Sequence, residues 1–242
     1  MVVPELLSGA NDILLLCDHA SNAVPPDIDL GIDPALLNKH IAIDIGAEPM
    51  TRALAELLAA PAIIATVSRL VIDLNREAES DGLIPAISDG HTIPGNMNAA
   101  RTERIARFYR PYHAVIERQV SAQRPVLIVG IHSFTPALES NGEPRPWEIG
   151  ILYNRDVRAA AIAIDLLNDA GIATGDNEPY SGRVLNATLN RHAEASDIPS
   201  FTVELRNDLI DTLQGVARWA QILTPILATT RNRLALEASS ET

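Results

Sequence analysis

The chain has 242 residues, 47% of them hydrophobic, a length and composition that one α/β domain accommodates around a substantial core. Its net charge of −12 argues against nucleic acid as a partner, and no apolar run approaches the roughly 20 residues of a membrane span. Cys17 is the sole cysteine, which rules out an intrachain disulfide and a thiolate-rich zinc centre, and an N-terminus without a signal-peptide pattern predicts a cytoplasmic location.

In chain order, the first apolar run, Ile13 to Cys17, predicts a buried strand and ends in Asp18-His19-Ala20-Ser21-Asn22. Asp44 to Ala59 has helical spacing, with Ala47, Met50, Leu54, Leu57 and Leu58 on the apolar face, and a second strand is expected over Ala62 to Val67. The segment Ser68 to Arg76 then packs Arg69, Asp73, Asn75 and Arg76 around a short apolar run. Its Asn-Arg pair offers a neutral amide and a guanidinium fork, groups suited to gripping one carboxylate. Only one of the basic residues, Lys39, is a lysine, so any anion must be held mainly by arginine.

A helix is predicted over Arg101 to Val120 and a strand over Val126 to Ile131, which runs into His132-Ser133-Phe134. A strand at Ile149 to Tyr153 and a helix at Arg155 to Ala170, stopped by Gly171, follow. Gly175 to Arg183 is either a plain connection or a loop closing over a site. The last strand, Phe201 to Leu205, carries Glu204, and a final helix spans Asp211 to Ala228. No repeat or linker divides the chain, which reads as a single catalytic domain over residues 1–242.

Strands alternating with helices predict a largely parallel or mixed sheet covered on both faces, with ligands at the carboxyl ends of the strands. His19 and His132 leave two strands at such ends. Two neutral imidazoles, one carboxylate and a water make an open catalytic zinc site; either histidine alone reads more simply as a hydrogen-bonded strand-end residue, and the two together favour the metal site. By alternation, Glu204 lies opposite Phe201, Val203 and Leu205. It is therefore either on an exposed face, paired with Arg206, or a desolvated general base. Ser21 and Ser133 have no evident base, Cys17 suits the core, and His40, His91 and His113 read as structural.

Taken together, His19 with Asn22 and Pro25, Asp73-Leu74-Asn75-Arg76, Ile131-His132-Ser133-Phe134 and Val203-Glu204-Leu205-Arg206 resemble, in that order, the N-formylglutamate amidohydrolase family. That family is similar to the zinc carboxypeptidases and succinylglutamate desuccinylases. The resemblance implies a three-layer α/β/α sandwich around a mixed, largely parallel sheet. It also implies a zinc-dependent amidohydrolase acting on a small anionic N-acyl amino acid, by resemblance N-formyl-L-glutamate, which is cleaved to L-glutamate and formate. His19 and His132 match the metal ligands, Glu204 the catalytic carboxylate, and Asn75 with Arg76, joined by Arg69, the substrate-carboxylate site. His192 matches a recurrent histidine that touches substrate or orients the catalytic carboxylate; an ordinary helix-surface histidine is the other reading.

One position departs from the carboxypeptidase-like pattern. Asn22 stands where a glutamate ligand is expected, and a neutral amide is a poor zinc ligand. Asp44 resembles a recurrent aspartate of the family and is either the third ligand or the cap of the helix that starts there. Two other functions stay open: a metal-free carboxylate-binding protein on the same fold, and a deacylase or desuccinylase for a different acyl group.

Overall fold

The computed structural model describes residues 3–240. In chain order the strands and α-helices are β1 (Glu5–Leu7), β2 (Ile13–Cys17), α1 (Ala47–Leu58), β3 (Ala62–Ile64), β4 (Ile87–Ser88), β5 (His91–Thr92), α2 (Arg101–Arg104), α3 (Arg110–Gln123), β6 (Leu127–Phe134), β7 (Ile149–Leu152), α4 (Arg158–Asp169), β8 (Thr174–Asp176), α5 (Ala187–His192), β9 (Ser200–Arg206) and α6 (Leu213–Ser240). A π-helical stretch, Ile105–Tyr109, joins α2 to α3, so the two nearly continue the single helix that the spacing predicts.

Seven strands form one sheet in the order β1-β3-β2-β6-β9-β7-β8. Strands β3, β2, β6 and β9 run parallel at its centre, while β1 pairs antiparallel to β3, β7 antiparallel to β9, and β8 parallel to β7. The central strands are buried throughout, as expected of a sheet covered on both faces. On one face Ile13, Leu15, Val129, Phe201, Val203 and Leu205 pack against α1, α4 and α6. On the other, Leu14, Leu16 and Ile128 meet Tyr112 and Ile116 of α3, Leu189 of α5 and the apolar residues of the segment after β3. The result is the expected three-layer α/β/α sandwich around a mixed, largely parallel sheet.

The first core is anchored by α6, where Trp219, Leu223 and Leu227 are buried at helical spacing. Truncation of Trp219 to Ala is expected to cost about 3–5 kcal/mol, because the void under the helix cannot collapse fully. Chemical denaturation checks it. No described helix is long and apolar enough to cross a membrane.

Of the boundaries that differ from those the sequence predicts, three have a consequence for the site. Strand β3 ends at Ile64, which frees residues 65–84 to travel across the carboxyl end of the sheet. Strand β6 continues through His132 to Phe134, so that histidine belongs to the strand itself. Helix α1 begins at Ala47 after Gly46, whose φ of 81° suits glycine and whose added Cβ would lie 2.3 Å from the Ile210 carbonyl oxygen. Asp44 is therefore no N-cap, and its side chain is free for another role.

Candidate active site

Because β2, β6 and β9 are parallel neighbours, their carboxyl ends present His19, His132 and Glu204 side by side; His132 and Glu204 are register partners. Asp44 is brought to the same point by the segment before α1. That segment is fastened by its amide to the His19 carbonyl (3.0 Å) and by the Ser68 hydroxyl to the Ala42 carbonyl (2.8 Å).

The imidazole geometry is the most informative feature. Both Nδ1 atoms face one oxygen, Asp44 Oδ2, at 3.3 Å for His19 and 2.9 Å for His132. Both Nε2 atoms are occupied behind the site: His19 Nε2–H donates to Asp73 Oδ1 (2.7 Å) and His132 Nε2–H to Asp18 Oδ2 (3.2 Å). A carboxylate on the far nitrogen fixes the tautomer and leaves the Nδ1 lone pair free for a cation, the arrangement typical of metal-binding histidines. His19, Asp44 and His132 each offer a ligand atom within 4.8 Å of the others, a separation compatible with an N/O-liganded divalent cation. Asn22 is instead bonded to Asn38 (3.1 Å).

The supporting carboxylates are themselves held. Asp18 accepts from the Tyr112 hydroxyl (2.6 Å) and the Thr188 hydroxyl (3.1 Å). Asp73 accepts from the Asn75 amide (3.0 Å), and Arg69 forks between Asp44 Oδ1 and Asp73 Oδ2, each at 2.9 Å. Burial and Arg69 work against a charged His19, but Asp73 and Asp44 outweigh them and raise its pKa above the ordinary histidine value. Burial likewise opposes a charged His132, and Asp18 and Asp44 lift it well above that value. Asp44 is held well below the usual carboxylate range despite its burial, through His19, Arg69 and His132. Without a metal, the site therefore keeps its protons on the histidines.

Glu204 is the exception to this pairing. It lies on the covered face of β9, and its Oε2 has no hydrogen-bond partner among the described residues. Arg206 bonds Asp208 (2.8 Å), so the surface pair Glu204–Arg206 does not form. Burial, reinforced by Asp44, pushes the Glu204 pKa up to about 7 against the pull of His132, Arg69 and His19. A buried, unpaired carboxyl poised near neutrality is what a general base requires.

These groups line a cavity of about 370 Å³ together with Arg69, Asn75 and Arg76. Asn75 Oδ1 accepts the Thr188 backbone amide (3.0 Å), which leaves its side-chain NH₂ as a donor without a partner among the described residues. Arg69 has spent both arms on aspartates, whereas Arg76 reaches Asp73 only at 3.8 Å and keeps a free fork. His192 does not line the cavity, which corrects its assignment to substrate. It is buried on α5 and donates from Nε2 to His113 Nδ1 (2.8 Å), while His113 Nε2–H donates to the Leu74 carbonyl (3.1 Å). Burial drives both pKa values down, to about 4 for His192 and about 3 for His113, so the pair is a neutral packing unit.

The 175–183 connection does reach the site. Gly150 of β7, next to Glu204 in register, lets the Glu178 carbonyl lie over the strand where a Cβ would meet it at 2.1 Å, and Tyr180 then lines the cavity. Its hydroxyl accepts from Arg145 (3.1 Å). Asp18, Tyr180 and His40 are cavity or supporting groups that the sequence does not single out. For Asp18 the available signal was its place beside His19 at a strand end; Tyr180 and His40 carry none.

Comparison with known proteins agrees with this architecture. The sequence matches the family model for N-formylglutamate amidohydrolase over residues 11–211. Gene product Atu2144 from Agrobacterium tumefaciens is 30% identical, with 97% of each chain covered and a TM-score of 0.91. An N-formylglutamate amidohydrolase from Ralstonia eutropha JMP134, 20% identical, shares the fold with a TM-score of 0.75 over 98% of this chain and 100% of that one. A search of curated proteins finds no significant match. With the matched model spanning most of its length, the chain belongs to the N-formylglutamate amidohydrolase family.

Proposed function

We propose that the chain hydrolyses the N-formyl amide of N-formyl-L-glutamate, adding water across the C–N bond to release formate and L-glutamate, with one zinc ion held by His19, Asp44 and His132. The observation that carries this reading is the convergence of two Nδ1 atoms on one carboxylate oxygen beside an unpaired, buried glutamate. When bound there, a divalent cation polarises a carbonyl and makes a water nucleophilic at neutral pH. Glu204 takes the proton of the attacking water and returns it to the leaving amine nitrogen. Arg76 and Asn75 hold a substrate carboxylate, a local cationic grip needed in a protein of net charge −12. Arg69 keeps Asp44 and Asp73 in place and charged.

The reading is tested by formate release from N-formyl-L-glutamate with zinc, after chelation and after zinc is restored. Loss and recovery of turnover are expected. Binding without turnover under all three conditions would favour a metal-free carboxylate-binding protein, and faster cleavage of the N-succinyl derivative would favour a desuccinylase. Removing the free fork in Arg76→Ala is expected to raise KM about 10- to 100-fold with a smaller change in kcat, as loss of a charge-assisted hydrogen bond predicts. Steady-state kinetics separate the two parameters.

A further inference from the structure

The proposed substrate carries two carboxylates, and the cavity's cations are unevenly available. Arg69 is committed to Asp44 and Asp73, and His19 and His132 face the candidate cation site. Among the described residues that line the cavity, Arg76 and His40 remain as the side chains able to bring positive charge to an anion. His40 precedes the Asp44 segment, and its Nε2 lies 2.8 Å from Asp89 Oδ2.

Asp89 is built to hold that ring. It sits with Gly90 in the turn of the β4–β5 hairpin, both at positive φ (41° and 82°), as a two-residue hairpin of this kind requires. Its carboxylate also accepts the backbone amides of Glu139 (2.8 Å) and Ser140 (3.0 Å), from the loop between β6 and β7. Burial opposes its charge, but Ser140, the Glu139 amide and His40 hold the pKa at about 2, so Asp89 is an anion. One carboxylate thus fastens the hairpin, the 135–148 loop and the His40 segment into a wall of the cavity. Nδ1 of His40 has no protein partner among the described residues. With Nε2–H given to Asp89, a protonated ring donates from Nδ1 to an anion in the cavity.

We propose that His40, positioned by Asp89, recognises the side-chain carboxylate of the acidic N-acyl amino acid while Asn75 and Arg76 hold the other carboxylate. This rests on the deformylation reading and adds the residue that sets amino-acid preference. The test uses the zinc-loaded full chain and compares kcat/KM for N-formyl-L-glutamate with that for N-formyl-L-glutamine, which has the same shape without the charge. Wild type is expected to prefer the glutamate derivative, and His40→Ala to reduce the ratio of the two values about 10- to 100-fold. His40→Gln, which keeps a donor but has no cationic form, is expected to do the same and serves if the alanine variant fails to fold. Asp89→Asn is expected to lower the ratio less, with Asp89→Glu restoring part of it. Equal loss on both substrates, or an unchanged ratio, would overturn the assignment of His40 alone. Absence of formate release from N-formyl-L-glutamate by wild type would overturn the deformylation reading, and this inference with it.

Discussion

Glu204→Gln is expected to lower turnover about 10²- to 10⁴-fold, the range for loss of a positioned general base, while zinc content and substrate affinity change little. The same substitution should stabilise the metal-free protein. Glu204 is buried with an unpartnered oxygen, and its pKa is raised to about 7 from an ordinary 4.5. A carboxyl with a raised folded-state pKa contributes stability that is fully present below the unfolded value. That contribution is lost as pH rises through the folded value, here from about 4.5 to about 7. At pH 8 the wild-type carboxylate is ionised while buried beside the Asp44 carboxylate; glutamine is not. The variant is therefore expected to be more stable at pH 8 by roughly 3 kcal/mol and nearly equal at pH 4. Denaturant unfolding of chelator-treated proteins at the two pH values measures this. A variant less stable than wild type at pH 8 would show that Glu204 has a partner in the fold.

The second large effect concerns Asp44, the acceptor shared by His19, His132, Arg69 and the Ser133 amide. Asp44→Ala leaves buried cationic donors without their acceptor and is expected to destabilise the metal-free fold by about 3–5 kcal/mol at neutral pH, besides abolishing metal-dependent turnover. Changes one layer further out should be graded. Asp18→Asn and Asp73→Asn keep the shape behind each imidazole but remove its charged partner, and each is expected to weaken metal affinity about 10- to 100-fold. Titration with zinc against a competing chelator separates these variants. An Asp44→Ala protein of wild-type zinc affinity would remove Asp44 from the ligand set.

The central strands were legible in the sequence because strands buried on both faces read as short unbroken apolar runs, as in Ile13–Cys17. The edge strands β1 and β8, three residues each and partly exposed, carry no such run, and the six-residue α5 is too short to show a period. Glu204 was ambiguous for a related reason. Alternation shows that it lies opposite Phe201, Val203 and Leu205, but not that the opposite face is covered by α3, α5 and the segment after β3. The choice between ligand and cap for Asp44 needed Gly46 in its left-handed conformation to be seen opening α1. For His192 the sequence leaves a substrate contact, an orienting role and an ordinary helix-surface position open, because its partner, His113, is 79 positions away. Asp18 and Asp89 act through groups 114 and 51 residues distant, and no local pattern encodes such a contact.

Under the proposed function, His19, Asp44 and His132 share one cation within reach of Glu204. Anomalous diffraction at the zinc edge from crystals grown with zinc tests it most directly. A single peak is expected about 2.0–2.2 Å from both Nδ1 atoms and an Asp44 oxygen, with Glu204 beside the open position. A peak at an Nε2 atom, at His40 and Asp89, or no peak at all would contradict it.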